Sequence, residues 1–134
     1  MKKILIIGAG AMGSAFTIPC LDNNNKVTLS EPYNFKLLKK ILSKKRFHPA
    51  LKLNLPKKLT IKKFSSELLI DKWDLIVIAV SSVGINSIRE SLKKLKSNCP
   101  VLILTKGLKY DRSKKKIITM SEQLNSGNKK FKIS

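Results

Sequence analysis

Lys3-Ile4-Leu5-Ile6-Ile7 runs directly into Gly8-Ala9-Gly10-Ala11-Met12-Gly13, and the junction of these two pieces decides the fold. Leu and β-branched side chains bounded by glycine read as a short strand buried on both faces, as a parallel sheet requires. The glycines follow as G-x-G-x-x-G, opening a helix expected over Ala11 to Leu21 that Pro19 should kink or shorten in its last turn. At such a junction Gly8 permits a tight turn, Gly10 lets backbone amides approach an anion, and Gly13 allows the helix to sit close to the strand. The amino end of the helix then faces the anion, and the ligand suited to the arrangement is the diphosphate of a dinucleotide.

Working outward, Asp22 to Asn25 close the first unit with a turn, Val27 to Ser30 form a second strand, and Phe35 to Leu42 an amphipathic helix. A Pro-bearing connection from Phe47 to Pro56 leads to a short strand over Leu59 to Lys63. Asp74 to Val80 is the clearest strand in the chain. Ile85, Ile88, Leu92 and Leu95 recur at helical spacing, with Lys93, Lys94 and Lys96 at the end favoured by the helix dipole. Val101 to Leu104 reads as a fifth strand, Ser113 to Leu124 as a further helix, and Phe131 to Ile133 as the start of a sixth strand. Strands alternating with helices imply an α/β fold: a Rossmann-type, doubly wound parallel sheet of five to six strands, in one domain over residues 1–134.

In such a sheet ligands bind at the carboxyl ends of the strands, so residues there carry the candidate chemistry. Glu31 stands at the end of the second strand, where a carboxylate accepts hydrogen bonds from the hydroxyls of an adenosine ribose and repels a 2′-phosphate. Pro32 follows it with no Arg to hold that phosphate, so NAD is favoured, with NADP as the alternative through the many lysines. Lys106, in Leu104-Thr105-Lys106-Gly107-Leu108, lies at the end of the fifth strand, where an ammonium can polarise a carbonyl or hold a phosphate. Ser81 and Ser82 follow the fourth strand on the same edge, placed to touch the cofactor's ribose or to cap the next helix. His48, the only histidine, precedes Pro49 in the long connection and reads as a surface loop residue rather than a base. Trp73 reads as a core plug.

Composition bounds the rest. The chain has 134 residues, 43% of them hydrophobic, enough for one ordinary core. Its formal charge is +20, from 28 Lys and Arg against 8 Asp and Glu. All the basic residues except Arg46, Arg89 and Arg112 are Lys, and they are dispersed over several surfaces, whereas base-edge recognition relies on the Arg fork. A specific nucleic-acid partner is not expected. The apolar runs are far shorter than the roughly 20 residues a membrane helix needs. Cys20 and Cys99 stand apart, without CxxC spacing or a nearby His; no metal site is expected, and a reducing cytoplasm fits.

Four stretches carry a family likeness: Ile6 to Ala15, Lys26 to Leu29, Asp74 to Ser82, and Leu104 to Leu108. In order and spacing they resemble the amino-terminal domain of NAD(P)-dependent sn-glycerol-3-phosphate dehydrogenase, over essentially the whole chain. Ketopantoate reductase, built on the same two-domain plan, is the runner-up, and a stand-alone dinucleotide-binding or regulatory module the alternative from another class. The resemblance implies that Gly8, Gly10, Ala11, Met12 and Gly13 hold the dinucleotide, and that Lys106 lies beside both the nicotinamide and a phosphorylated substrate as the catalytic residue. Met12 stands where the family usually has an aromatic residue, Glu31-Pro32 where it often has a small residue then a basic one, and Ser81 where it has Pro. The family's helical domain, which carries the proton acceptor and the substrate-phosphate groups, lies beyond Ser134. That domain is expected in cis or as a separate chain, the isolated chain is expected to turn over slowly or not at all, and a homodimer is compatible with this plan.

Overall fold

A computed structural model describes residues 1–96 and 98–126. In chain order the elements are β1 (Lys3–Ile7), α1 (Ala11–Asp22), β2 (Lys26–Glu31), α2 (Phe35–Ser43), β3 (Phe47–His48), β4 (Leu53–Asn54) and β5 (Thr60–Lys63). They continue with β6 (Leu75–Ile78), α3 (Ile85–Leu92), β7 (Val101–Ile103), β8 (Leu108–Asp111), β9 (Lys116–Thr119) and α4 (Met120–Asn125). Five of the strands form one sheet in the order β5-β2-β1-β6-β7, every neighbouring pair parallel. The chain leaves β1 towards β2 and β5, then crosses to the other side of β1 to add β6 and β7. This is the doubly wound α/β fold that the alternating pattern predicts, and it puts the switch of winding direction between β1 and β6.

Period-two alternation divides the core between the two faces of the sheet. Leu5, Ile7, Ile76 and Ile78 face one layer with Ile85, Ile88 and Leu92 of α3 and Met120 and Leu124 of α4. Ile4, Ile6, Val27, Leu29 and Val77 face the other, with Leu21 of α1 and Ile41 of α2. Trp73 is buried in the first layer, and its indole N–H donates to the Leu68 carbonyl at 2.6 Å, so it is a core plug. Pro19 does not end α1, which runs on to Asp22. No helix among the described residues is long and apolar enough to cross a membrane.

Two expectations change. The strand read as Asp74 to Val80 forms the ladder over Leu75–Ile78; the Ala79 N–H still donates to the Ile7 carbonyl at 2.8 Å, and the chain then leaves the sheet edge through Val80 and Ser81 into a 3-10 turn over Ser82–Gly84. The helix expected over Ser113 to Leu124 is instead the antiparallel hairpin of β8 and β9 followed by the short α4, with Tyr110 opposite Ile117. Asp111 explains the difference: its carboxylate accepts from the Ser113 N–H, the Ser113 hydroxyl and the Lys114 N–H, closing a turn that reverses the chain before a helix can nucleate. Ile117, Ile118 and Thr119 are β-branched and suit the returning strand. The strand expected over Phe131 to Ile133 lies outside the described residues.

The true start of α4 is Thr119, whose hydroxyl accepts from the Glu122 N–H while the Glu122 carboxylate accepts from the Thr119 N–H, a reciprocal capping box. That backbone N–H, with smaller help from the Thr119 hydroxyl and Lys116, holds the Glu122 carboxyl below its ordinary range. Thr119→Ala is expected to cost about 1 kcal/mol in a urea melt. Because the folded value is depressed, the contribution of Glu122 is present above the free glutamate range and is lost as the pH falls through the folded value. The acid limb of stability should flatten in Glu122→Gln.

Candidate functional site

The carboxyl ends of β1, β2, β6 and β7 meet along one rim of the sheet. Gly8 follows β1 at φ +115°, donating its N–H to the Ser30 carbonyl at 2.7 Å, and a side chain there would lie 2.5 Å from the Ala79 carbonyl oxygen. Two backbones therefore touch at the winding switch, and only glycine allows it. Gly13, one turn into α1, has no more room: a Cβ would overlap the Gly8 carbonyl oxygen and lie 3.0 Å from the Ala79 Cβ. Gly10 is the opposite case, since a Cβ there would meet nothing within 4 Å. Its freedom from a side chain is not needed for packing, so the open space above it is what the glycine preserves.

That space is the mouth of a crevice of about 230 Å³ lined by Gly8, Gly10, Glu31, Tyr33, Asn34 and the Ala79–Ser81 loop. Helix α1 starts against it with no side-chain cap and no acidic residue in its first turn. Its amino end is thus an unneutralised cluster of N–H donors and positive dipole, a ready site for an anion. Ala11 and Met12 belong to this first turn, and both are exposed. Larger hollows, of about 410 Å³ beside the β8–β9 hairpin, about 620 Å³ at Trp73 and Asp74 and about 300 Å³ at Ser82, Asn86 and Leu108, are not lined by the glycine turn.

Glu31 sits in the crevice wall, 5% exposed. One carboxylate oxygen accepts from the Ala9 N–H at 2.7 Å, and the other accepts from the N–H groups of Tyr33 and Asn34, each at 2.9 Å. A carboxylate offers about four acceptor directions, so about one remains for an outside donor, fewer than the pair of ribose hydroxyls that sequence position alone suggests.

On the far side of the switch, Thr105 donates its hydroxyl to the Val80 carbonyl at 2.7 Å, tying the loop after β7 to the loop after β6. Gly107, at φ +137°, would carry a Cβ 3.5 Å from that of Ser82. Lys106 lies between these contacts, exposed, on the same rim as the glycine turn. Gly8, Gly10, Gly13, Glu31, Ser82 and Lys106 are therefore gathered along one edge, with the helix end towards β2 and the lysine towards β7.

Two residues escape a reading of the sequence. His48, expected on the surface, is 1% exposed, with Nε2 3.0 Å from the Ala9 carbonyl oxygen. The β3–β4 hairpin folds the connection back beneath the turn because Leu51, Leu53, Leu55 and Leu59 pack into the second core layer. That Leu alternation was the available signal. Tyr33 spans from the end of β2 to Gly84, donating its hydroxyl to the Gly84 carbonyl at 2.7 Å, with its ring where a Gly84 side chain would stand. Nothing local marks it.

A family model described as the N-terminus of NAD-dependent glycerol-3-phosphate dehydrogenase matches residues 3–133. The chain belongs to this family. Among glycerol-3-phosphate dehydrogenases, the NAD(P)+ protein of Protochlamydia amoebophila is 36% identical over 115 residues, covering 83% of this chain and 33% of the relative. The NADP(+)-dependent protein of Archaeoglobus fulgidus is 28% identical over 121 residues, covering 89% of this chain and 35% of that one. The glycerol-3-phosphate dehydrogenase structure from Coxiella burnetii superposes with a TM-score of 0.78 at 18% identity, covering 98% of this chain and 39% of that one, which shows a shared fold. The chain thus spans about a third of the length of the glycerol-3-phosphate dehydrogenases it matches in sequence.

The three motif glycines should separate by stability. Gly8→Ala and Gly13→Ala force backbone apart at the switch and are expected to lose at least about 2 kcal/mol, whereas Gly10→Ala should cost about 1 kcal/mol or less. Urea melts of the three variants provide the comparison.

Proposed function

We propose that the chain forms the nucleotide-binding part of an NAD(P)-dependent glycerol-3-phosphate dehydrogenase, interconverting sn-glycerol 3-phosphate and dihydroxyacetone phosphate. The observation that carries the reading is the uncapped start of α1 against Gly10, open at the winding switch and sharing its rim with Lys106. The residues fit a dinucleotide on their own chemistry: free donors for a diphosphate, a carboxylate for a ribose, and an exposed ammonium beyond. When bound, the nicotinamide supplies the hydride acceptor or donor of the reaction.

In this reading Gly8, Gly10, Ala11, Met12 and Gly13 hold the diphosphate and its neighbourhood through backbone N–H groups and the dipole of α1. Glu31 takes a ribose hydroxyl and disfavours a 2′-phosphate, which makes NAD the preferred cofactor, with NADP second. Ser82 and Lys106 face the nicotinamide half, where the lysine polarises the substrate oxygen and attracts its phosphate. Alcohol oxidation also needs a proton acceptor within about 3 Å of the hydroxyl. Lys106 is an exposed ionisable side chain on the β7 side of that rim, whereas the Glu31 carboxylate is largely engaged by the turn and His48 lies buried beneath it. The proton acceptor and the groups for the substrate phosphate belong to a helical domain, in cis or as a separate chain. The 134 residues by themselves are then a binding unit with little or no turnover.

Titration of the chain with NADH and NADPH, followed by nicotinamide fluorescence, should show saturable binding with NADH the tighter ligand. Gly10→Ala should weaken NADH by at least about tenfold, equivalent to about 1.4 kcal/mol, while retaining a cooperative melt. With the relatives' helical domain supplied, Lys106→Ala should lower kcat/KM for dihydroxyacetone phosphate reduction by about 100-fold or more. Absence of binding to either dinucleotide would remove the proposal. Tight NADH binding with no turnover in the presence of that domain would favour a stand-alone module instead.

A further inference from the structure

We infer that His48 is a positioning residue for the dinucleotide turn, holding the peptide between Ala9 and Gly10 so that its N–H faces the crevice; this rests on the turn being a diphosphate site. The Leu51 N–H donates to His48 Nδ1 at 3.3 Å, which leaves that nitrogen unprotonated and puts the ring proton on Nε2. Nε2–H then donates to the Ala9 carbonyl oxygen at 3.0 Å, and the Ser14 hydroxyl donates to the same oxygen at 3.1 Å. A carbonyl oxygen has two lone pairs, and both are taken on the inner side of the turn.

The consequence follows from peptide geometry. The Ala9–Gly10 bond is planar and trans, so a carbonyl drawn inwards sends the Gly10 N–H the other way. Among the described residues no acceptor takes that N–H, and Gly10 borders open space. The preceding peptide is fixed as well, because the Ala9 N–H is held by Glu31 at 2.7 Å. Two successive peptide planes are therefore set by two buried side chains from distant parts of the chain, Glu31 from β2 and His48 from β3. Without His48 one of the two donors that hold the Ala9 carbonyl inward is lost, and the Ser14 hydroxyl alone opposes its rotation towards the crevice, where the oxygen would meet the anion that the amides should bind. Glycine on the following residue makes that rotation easy.

Asparagine and glutamine each preserve one half of the imidazole. Asparagine can keep the acceptor for the Leu51 N–H but does not reach Ala9, whereas glutamine carries an amide N–H out to the position of Nε2. For the 134-residue chain, NADH affinity and melting temperature are measured for the parent, His48→Asn and His48→Gln. The expected result is a loss of at least about tenfold in NADH affinity for H48N, about 1.4 kcal/mol, and recovery to within about threefold of the parent for H48Q. H48N within twofold of the parent, or H48Q no tighter than H48N, overturns the inference, as does affinity that merely follows melting temperature across the pair. If H48N does not fold, Ser14→Ala removes the other donor to the same carbonyl. A loss of about threefold or more in that variant supports the inference, and unchanged affinity overturns it. A parent chain that binds neither NADH nor NADPH overturns the underlying reading along with it, a result distinct from a parent that binds and variants that match it.

Discussion

The contact of Gly8 with the Ala79 backbone is the constraint on which the rest of the structure depends. At that point β1 and β6 lie side by side while the chain winds away from them in opposite directions, so no crossover covers the rim between them. A crevice follows from the topology, but its use depends on how near the turn after β1 can approach the neighbouring loop. With a side chain at Gly8 or Gly13 the turn would be pushed off, and the amino end of α1 would no longer sit at the crevice floor. Close backbone approach is a local steric condition, and it sets the position of a charge-bearing helix end.

The turn is held by polar bonds where simple packing would not hold it. Ala9 has no side chain able to lock its conformation, yet its N–H and carbonyl are both engaged by buried groups, Glu31 on one side and His48 with Ser14 on the other. Burying such groups costs free energy unless each finds its partner, and here they do. The return is rigidity: amides that already face the crevice need no reorganisation when an anion arrives. Most of the acceptor capacity of Glu31 is thereby taken up in maintaining the turn. The abundant surface lysines take no part in this. At the turn itself the charges are those of one helix end and one buried carboxylate, and the overall charge of +20 sets the field around it.

Much of the sheet can be read from the chain because its strands are continuous apolar runs. A strand such as Leu75–Ile78 must be buried on both faces whatever its neighbours are, and helices at Ile85, Ile88 and Leu92 follow from spacing alone. The reading fails where local preference and tertiary partners disagree. Lys114 to Lys116 and Met120 to Leu124 are compatible with one helix, but Asp111 closes a turn and Tyr110 supplies a partner for Ile117, and both effects need the chain to come back on itself. His48 shows the same limit. Beside Pro49 it has the local character of a loop residue, and only the burial of Leu51, Leu53 and Leu55 carries it beneath the turn.

Composition, periodicity and glycine spacing by themselves determined a doubly wound α/β chain, a Gly8–Gly13 turn after its first strand, and a lysine at the end of a later strand. These are properties of short segments, governed by side-chain period and by where a Cβ can be tolerated. Tertiary structure alone decided that Glu31 and His48 grip the same residue of that turn from opposite sides, that Tyr33 reaches Gly84, and that the stretch after Lys106 doubles back as a hairpin. The physical reason is range: a hydrogen bond between residues far apart in the chain exists only once the packed layers bring its donor and acceptor together.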